Sequence, residues 1–353
     1  MNQVQDKIAG TRLPLRVNRS GKAAPIILGV VVLAAIAFAV WWFAFRKAGG
    51  DASKLVTNYI PKDVQVVGGF DVKGFYDSTI YKELGPEIEK KINGDKSFKE
   101  MSDKAGFDYK KVATIAFGAS KLPMPMARGS EDGDPKFVAV VTGSWDSTKM
   151  MGFLKESAGE KGEEKDIEGV KTITDKRGKG TVGFPADGVL LAGTPEMFGT
   201  AVKLSKGTGE SVDANADLKA IRKHVDEGAT FWMAMAIPKE ALEATPGAEM
   251  FGKASHVALS VDLGGGIELK SAIKMASAEE ATKAQTQIKM GIGLGAGFAA
   301  SVPDIGEDLK KIVESVKVEV AGDVLTMSAS ASADQVKKLI EAGKKQGMLA
   351  AIL

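Results

Sequence analysis

Residues 256–275 read HVALSVDLGGGIELKSAIKM, and this stretch alternates apolar and polar side chains on either side of three glycines. Alternation with a period of two is typical of a strand with one buried face, and intervening glycines predict a hairpin. Directly after it, Ser277 and Glu280 have the spacing of a helix capping box. The stretch therefore predicts an antiparallel hairpin, residues 256–263 and 267–275, followed by a helix.

The same order, a hairpin followed by a capped helix, occurs again both after and before this stretch of the sequence. Residues 316–320 and 324–328 predict a second hairpin, and Ser332 with Gln335 repeats the capping box. In the first half of the chain, residues 170–192 predict a three-stranded meander before a helix that Thr194 caps. Further strands are predicted at 64–72, 112–118, 137–143 and 230–237, and further helices at 80–92, 98–104, 147–156, 218–225 and 238–242.

These elements predict the α+β class: an N-terminal transmembrane helix followed by two duplicated units of antiparallel sheet with packed helices. A single α+β domain whose elements merely alternate is the other interpretation of the pattern. The predicted segments are a basic cytoplasmic tail at 1–24, a transmembrane helix at 25–45, a spacer at 46–60, a first α+β unit at 61–206, a linker and helix at 207–228, and a second α+β unit at 229–353.

The predicted transmembrane helix is the stretch PIILGVVVLAAIAFAVWWFAF, whose 21 residues carry no charge. A helix of this length spans a hydrocarbon core of about 30 Å. A cleaved signal peptide is the alternative, but its apolar region would be about 7–15 residues and would end at small residues. Here Ala39 is followed by valine, tryptophan and phenylalanine. The sequence therefore predicts an uncleaved anchor in contact with membrane lipid.

The charges that flank this segment predict its orientation. Five basic residues precede Pro25, whereas only Arg46 and Lys47 follow the segment directly. The positive-inside rule then keeps the N-terminus in the cytoplasm and places the main domain outside. Because that domain has no cysteine and no glycosylation sequon, we expect a bacterial inner-membrane protein with a periplasmic domain.

Composition excludes several classes of function. After residue 24 the chain carries 42 basic and 44 acidic residues, so it lacks the basic surplus by which proteins bind nucleic acid. With no cysteine, it has no disulfide, thiolate nucleophile or cysteine-ligated metal. We therefore expect no nucleic-acid partner and no such cofactor.

Motifs for catalysis are absent or out of context. The chain has two histidines, His224 in a charged helical stretch and His256 in a predicted strand, and both are interpreted as structural or solvated residues. Ser271 and Lys274 match a Ser-x-x-Lys motif, but in a strand they face opposite sides. The sequence predicts no enzyme and no catalytic, cofactor-binding or metal-binding residue. It leaves open a catalytic pair of carboxylates that come together from distant positions in the chain.

Two apolar segments are candidate contact sites. Residues 121–135 contain Met124 and Met126 in a proline-rich loop, which is either an adaptable contact surface or an insertion without such a role. Residues 290–302 read MGIGLGAGFAASV without a charge. We expect this run to be a helix that packs closely through Gly293 and Gly297, and the alternative is an apolar surface for a partner or ligand. The candidate contact residues of this run are Met290, Ile292, Leu294 and Phe298.

The sequence predicts a single-pass membrane-anchored envelope protein with a periplasmic protein-binding or scaffold domain, partnered by other envelope proteins. The alternative function is a carrier or sensor of an apolar ligand such as lipid. An envelope hydrolase that uses carboxylates is the third possibility. The identity of the partner and the oligomeric state are left open by the sequence.

Overall fold

A computed structural model of the protein describes residues 52–121, 135–237 and 254–345. The strands in these ranges are β1 Val66–Asp71, β2 Val112–Ala119, β3 Phe137–Gly143, β4 Gly162–Ile167, β5 Val170–Asp175, β6 Thr181–Ala186, β7 Val189–Gly193, β8 Phe231–Ala236, β9 His256–Asp262, β10 Gly266–Lys274, β11 Lys317–Ala321 and β12 Val324–Ser332. The α-helices are α1 Ala52–Tyr59, α2 Val72–Asp77, α3 Thr79–Gly94, α4 Lys96–Ala105, α5 Ser147–Ala158, α6 Pro195–Ser205, α7 Ala216–Arg222, α8 Ala278–Ala299, α9 Gly306–Glu314 and α10 Ala333–Lys345.

The strands form one continuous 12-stranded sheet in the order β11-β12-β10-β9-β8-β1-β2-β3-β7-β6-β5-β4. Every neighbouring pair is antiparallel, and the helices pack on both faces. The predicted α+β class with antiparallel sheet is therefore confirmed. The first strands of the two halves, β1 and β8, pair with each other at the centre of the sheet, and Gly68 lies opposite Met233.

The local signals for the hairpins and for the caps at Ser277 and Ser332 are confirmed. Thr194 lies at the predicted N-cap position of α6, but its hydroxyl makes no capping hydrogen bond in the described residues. Strands β9 and β10 pair from Asp262 with Glu268 to His256 with Lys274, as the alternating stretch predicts. Serine side chains cap the starts of α8 and α10, and at α10 the capping box is complete. The Ser277 hydroxyl accepts from the backbone N–H of Glu280 at 3.2 Å. The Ser332 hydroxyl accepts from the Gln335 N–H at 3.3 Å, and the Gln335 amide oxygen accepts from the Ser332 N–H at 2.8 Å.

Strand β4 was not predicted from the sequence. Its residues, GEEKDI, are mostly charged and exposed. It lies at the end of the sheet and pairs with β5 alone. An edge strand with both faces near solvent has no apolar alternation, and its charges oppose pairing with another chain. The ion pair between Lys155 of α5 and Glu164 joins this edge to the neighbouring helix.

One face of the sheet is covered by α1, α6 and α7. Side chains of these helices, such as Val56, Phe198 and Leu218, form one buried cluster with Val67 and Trp232 of the sheet. The cluster draws residues from both halves of the chain. The two halves therefore share one core on this face.

The other face is covered by α2, α3 and α10 around Phe70, which points away from Val67 because side chains alternate along β1. At the β11 end of this face, the first half of α8 packs Ala281, Ala284 and Ile288 against Val318 and Leu325.

Three predicted features lie outside the described residues: the transmembrane segment 25–45, the helix 238–242 and most of the loop 121–135, including Met124 and Met126. Within the ranges that the structure describes, no helix is both long enough and apolar enough to cross a membrane.

Candidate functional site

Helix α8 is fixed to the sheet by its first half. Ser277 caps it, and Glu279 and Glu280 lie in the first turn, where carboxylates favour the helix dipole. The side-chain amide of Gln285 donates to the backbone oxygen of Val318 on β11 at 2.9 Å. This half of the helix is therefore an ordinary amphipathic element, buried on one side and polar on the other.

The outer side of α8 becomes apolar in its second half. Met290, Leu294 and Phe298 are 64%, 58% and 66% exposed, and they are the most exposed large hydrophobic residues in the described ranges. Because they lie four residues apart, they form one row along the helix, which we call the α8 ridge. Residues 290–302 contain no charge. A contiguous exposed apolar row of this kind is a candidate interaction site.

Two glycines form a groove beside the α8 ridge. In the ranges that the structure describes, a Cβ atom added at Gly293 or Gly297 would meet nothing within 4 Å. The prediction that these two glycines pack closely inside the domain is therefore wrong. The physical reason is the rotation of the helix: its buried side, set by Ile288, continues through Ile292 and Gly295, which places Gly293 and Gly297 outside.

Helix α9 covers the inner side of the second half of α8. The chain turns back at Asp304, which has φ 67°, and a Cβ at Gly295 would lie 3.8 Å from Cγ1 of Val313 on α9. Helix α9 is itself held by α10, because the Lys338 ammonium lies 2.9 Å from the Asp308 carboxylate. With its inner side covered, the second half of α8 presents its apolar side chains to solvent.

The four candidate residues of this run separate into two sets. Met290, Leu294 and Phe298 share the α8 ridge, whereas Ile292 is half-buried and packs against the cluster around Leu325. The sequence places all four residues in one uncharged stretch and does not show which side of the helix faces the sheet.

The two histidines do not meet. His224 is exposed just after α7. The ring Nδ1 of His256, in β9, lies 3.0 Å from the Ser255 hydroxyl. Burial lowers the pKa of His256, with smaller and opposing effects from Asp217, which raises it, and Lys274, which lowers it. Among the described residues, no group of three His, Cys, Asp or Glu side chains could hold a metal ion.

The Ser-x-x-Lys pair is separated by the sheet, as its position in a strand predicts. The Ser271 hydroxyl is buried without a hydrogen-bond partner in the described residues. The Lys274 ammonium is on the other face of β10, where it donates to Asp217 of α7 at 3.2 Å. A serine and a lysine on opposite faces cannot act on one substrate atom.

One buried ionic cluster was missed by sequence reasoning. Arg222, at the end of α7, is 5% exposed and bonds to Asp213 at 2.9 Å and to Glu227 at 2.6 Å. Its guanidinium lies 5.1 Å from the ring centroid of Trp232, and Thr57 of α1 donates to Asp213 at 2.8 Å. No motif reveals this cluster, because its residues resemble surface charges in sequence.

The interactions within the cluster keep Arg222 and Asp213 charged, and the cluster has a structural role. Burial lowers the pKa of Arg222, but the bonds to Glu227 and Asp213 outweigh it, so the net shift is upward. Burial raises the pKa of Asp213, but the bonds from Thr57 and Arg222 outweigh it and the net shift is downward. Both groups are therefore held in their charged forms, and together they join α1 to α7.

The fold and the site define an α+β protein built on one antiparallel sheet, with an apolar ridge on an outer helix. Comparison with solved structures finds similarity to TP0453. Crystal form III is 11% identical, with a TM-score of 0.44, over 81% of this chain and 97% of that chain. Crystal form I is 10% identical, with a TM-score of 0.43, over 81% of this chain and 96% of that chain. No family model and no curated protein match the sequence.

Proposed function

We propose that this chain is a single-pass membrane protein of a bacterial envelope whose main domain binds another protein through the α8 ridge. The observation that carries the proposal is the exposure of Met290, Leu294 and Phe298 in one row of an uncharged stretch. Apolar side chains in a row at this spacing are the usual anchors for a protein surface. A scaffold or accessory role, without catalysis, is the function that this surface supports best.

The orientation of the ridge favours a protein partner over an enclosed lipid. A carrier would direct its apolar side chains into a space between helix and sheet. Here the inner side of α8 is occupied by Ile292 and by Val313 of α9, and the ridge points away from both. The carrier or sensor of an apolar ligand therefore stands as the second hypothesis.

Anchoring in the inner membrane is proposed from residues 25–45 and their flanking charges alone. A reporter enzyme that is active only outside the cytoplasm, fused after Leu353, should be active, and the mature chain should retain Met1. An inactive reporter, or a mature chain that begins after Ala39, would contradict the anchored periplasmic arrangement.

The strand order supports a further proposal, that the domain arose by duplication. Outward from the central β1–β8 pair, one side runs β1-β2-β3-β7-β6 and the other runs β8-β9-β10-β12-β11. In both halves a helix follows the third strand, α5 in one and α8 in the other. The helices that follow the last strands, α6 and α10, pack on opposite faces of the sheet, so the proposal rests on the strand order and not on these two helices. The β4–β5 hairpin is then an insertion in the first half.

Partner binding is tested by photo-crosslinking in intact membranes. The photoreactive residue benzoylphenylalanine replaces Leu294 in the full-length chain, or, as a matched control, exposed Thr282 on the polar half of α8. We expect a protein adduct at position 294 and none at 282, with the adduct identified by mass spectrometry. If position 294 gives only lipid adducts, the protein-binding proposal is wrong and the apolar-ligand hypothesis replaces it.

A further inference from the structure

We propose that the partner of the α8 ridge is a second copy of this chain, docked as a two-fold antiparallel pair of α8 helices. This inference rests on the proposed function and names the partner. In the pair, the ridge of each copy fills the groove at Gly293 and Gly297 of the other.

Shape supports a symmetric pair, because the surface carries a ridge and a groove of the same pitch side by side. Met290, Leu294 and Phe298 are spaced by four residues, and so are Gly293 and Gly297 in the next row. Rows spaced by four interdigitate when two helices cross, with their axes about 8–10 Å apart. A two-fold axis presents the same patch from both copies, so a patch that contains both a knob row and a hole row is complementary to itself.

Without a partner in the groove, its two glycines only destabilise the helix. Each glycine weakens a helix by roughly 0.5–1 kcal/mol relative to alanine. Among the described residues, neither Gly293 nor Gly297 meets a neighbour that would require the missing side chain. Close approach of an external helix is a physical reason for small residues at such positions.

Charge favours the antiparallel arrangement. The stretch 290–302 contains no ionisable side chain, so two copies meet without like-charge repulsion over the patch. Lys289 lies just before it and is exposed. With Leu294 near the axis, antiparallel helices separate the two Lys289 side chains by about 15 Å, beyond the screening length of about 8 Å at physiological salt. Parallel helices would bring them together, and would also align the helix dipoles unfavourably.

The patch is small, and this determines where the pair forms. Three side chains exposed by about two-thirds bury roughly 600 Å² over both copies, which is below the range of interfaces that are stable in solution. Anchoring both copies in one membrane raises their effective concentration and compensates for a weak contact. We therefore expect the pair in membranes at native density, and dissociation in dilute detergent.

The absence of cysteine makes a direct test possible. The full-length chain is expressed with a single cysteine, Gly293→Cys or Gly297→Cys, and membranes are oxidised before non-reducing electrophoresis. Thr282→Cys is the matched control, since it is exposed on the same helix about 18 Å from Leu294 along the axis. A disulfide needs Cα atoms within about 7 Å, so at least one groove cysteine should give about fivefold more covalent dimer than the control.

A second variant distinguishes a specific contact between the two copies from random collision. Adding Leu294→Glu to the cysteine that cross-links best places two carboxylates near the axis and should reduce the dimer at least about tenfold, to the control level. Its thermal unfolding should match that of the single-cysteine chain, because Leu294 is not part of the core.

Other results would overturn the inference. Cross-linking at both Gly293→Cys and Gly297→Cys that is no greater than at Thr282→Cys would show collision without a contact. A groove cysteine that stays monomeric but resists a water-soluble thiol reagent would show lipid on the ridge. A photo-adduct at position 294 with a different protein would also exclude the self-pair, while leaving the proposed protein-binding function intact.

Discussion

At the scale of single residues, two ionisable groups that are removed from water keep different charge states: Arg222 is buried and His256 is half-buried. Arg222 keeps its charge because Asp213 and Glu227 bond to it, and the result is a link between distant elements. In the described residues His256 makes no such bond to a carboxylate, and partial burial lowers its pKa. The first group is stabilised as an ion and the second as a neutral ring.

The lowered pKa of His256 predicts a pH dependence of stability. In the unfolded chain a histidine has a pKa of about 6.5, so below that value the unfolded state binds a proton that the folded state resists. Lowering the pH from about 7.5 to about 5.5 should therefore reduce the melting temperature, with the loss complete once the pH passes below the folded pKa. Measured on the purified full-length protein, His256→Gln should remove this dependence.

The exposed second histidine is the internal control for that measurement. His224→Gln should keep the pH dependence of the original chain. A His256→Gln protein that loses stability over the same pH interval to the same extent would mean that another group is responsible.

At the scale of elements, glycine has opposite roles in β1 and α8. A Cβ at Gly69 of β1 would lie 2.5 Å from the Cβ of Ala52 and 2.8 Å from Nε1 of Trp232, both in the core. The strand therefore needs glycine so that α1 can approach it. In α8, Gly293 faces open space, and no contact within the described part of the chain requires a glycine there.

A pair of identical substitutions tests this difference. Gly69→Ala should lower the free energy of unfolding by about 1–3 kcal/mol, because the core has no room for the methyl group. Gly293→Ala should raise it by about 0.5–1 kcal/mol, because alanine restricts the unfolded chain and favours the helix. Denaturant unfolding of the full-length protein measures both. A loss of stability in Gly293→Ala would restore the packing interpretation of that glycine.

At the scale of the whole molecule, the central β1–β8 pair makes one body of the two halves in the described residues. Their strands run in one sheet, and the buried cluster on one face contains Leu191 from the first half and Ala272 from the second. Separating the halves would expose this shared core to water.

We therefore expect the domain to unfold in one cooperative transition. The calorimetric enthalpy should equal the van't Hoff enthalpy within error, because neither half keeps its core when the other is lost. Scanning calorimetry of the purified chain checks this. Two resolved transitions would show that 61–206 and 229–353 are separate folding units, as the domain bounds from the sequence would allow.

Sequence reasoning was most successful where the signal is local. The β9–β10 hairpin and the caps at Ser277 and Ser332 depend on residues a few positions apart, and all three are confirmed. It failed at β4, where a strand at the sheet edge has no buried face to produce a pattern. For the candidate site it selected the uncharged stretch 290–302, which stays a prediction, and it gave the wrong reason for the glycines of that stretch.

What the sequence determined by itself is the α+β class, the hairpins with their capped helices, and the uncharged stretch 290–302, because these are properties of neighbouring residues. The tertiary structure alone decided the joining of the halves at β1 and β8, the burial of Arg222, and the exposure of the α8 ridge. Each of these depends on contacts between residues far apart in the chain. Periodicity shows that a helix has an apolar side, but only the packing of α8 on β11 and α9 shows that this side faces solvent.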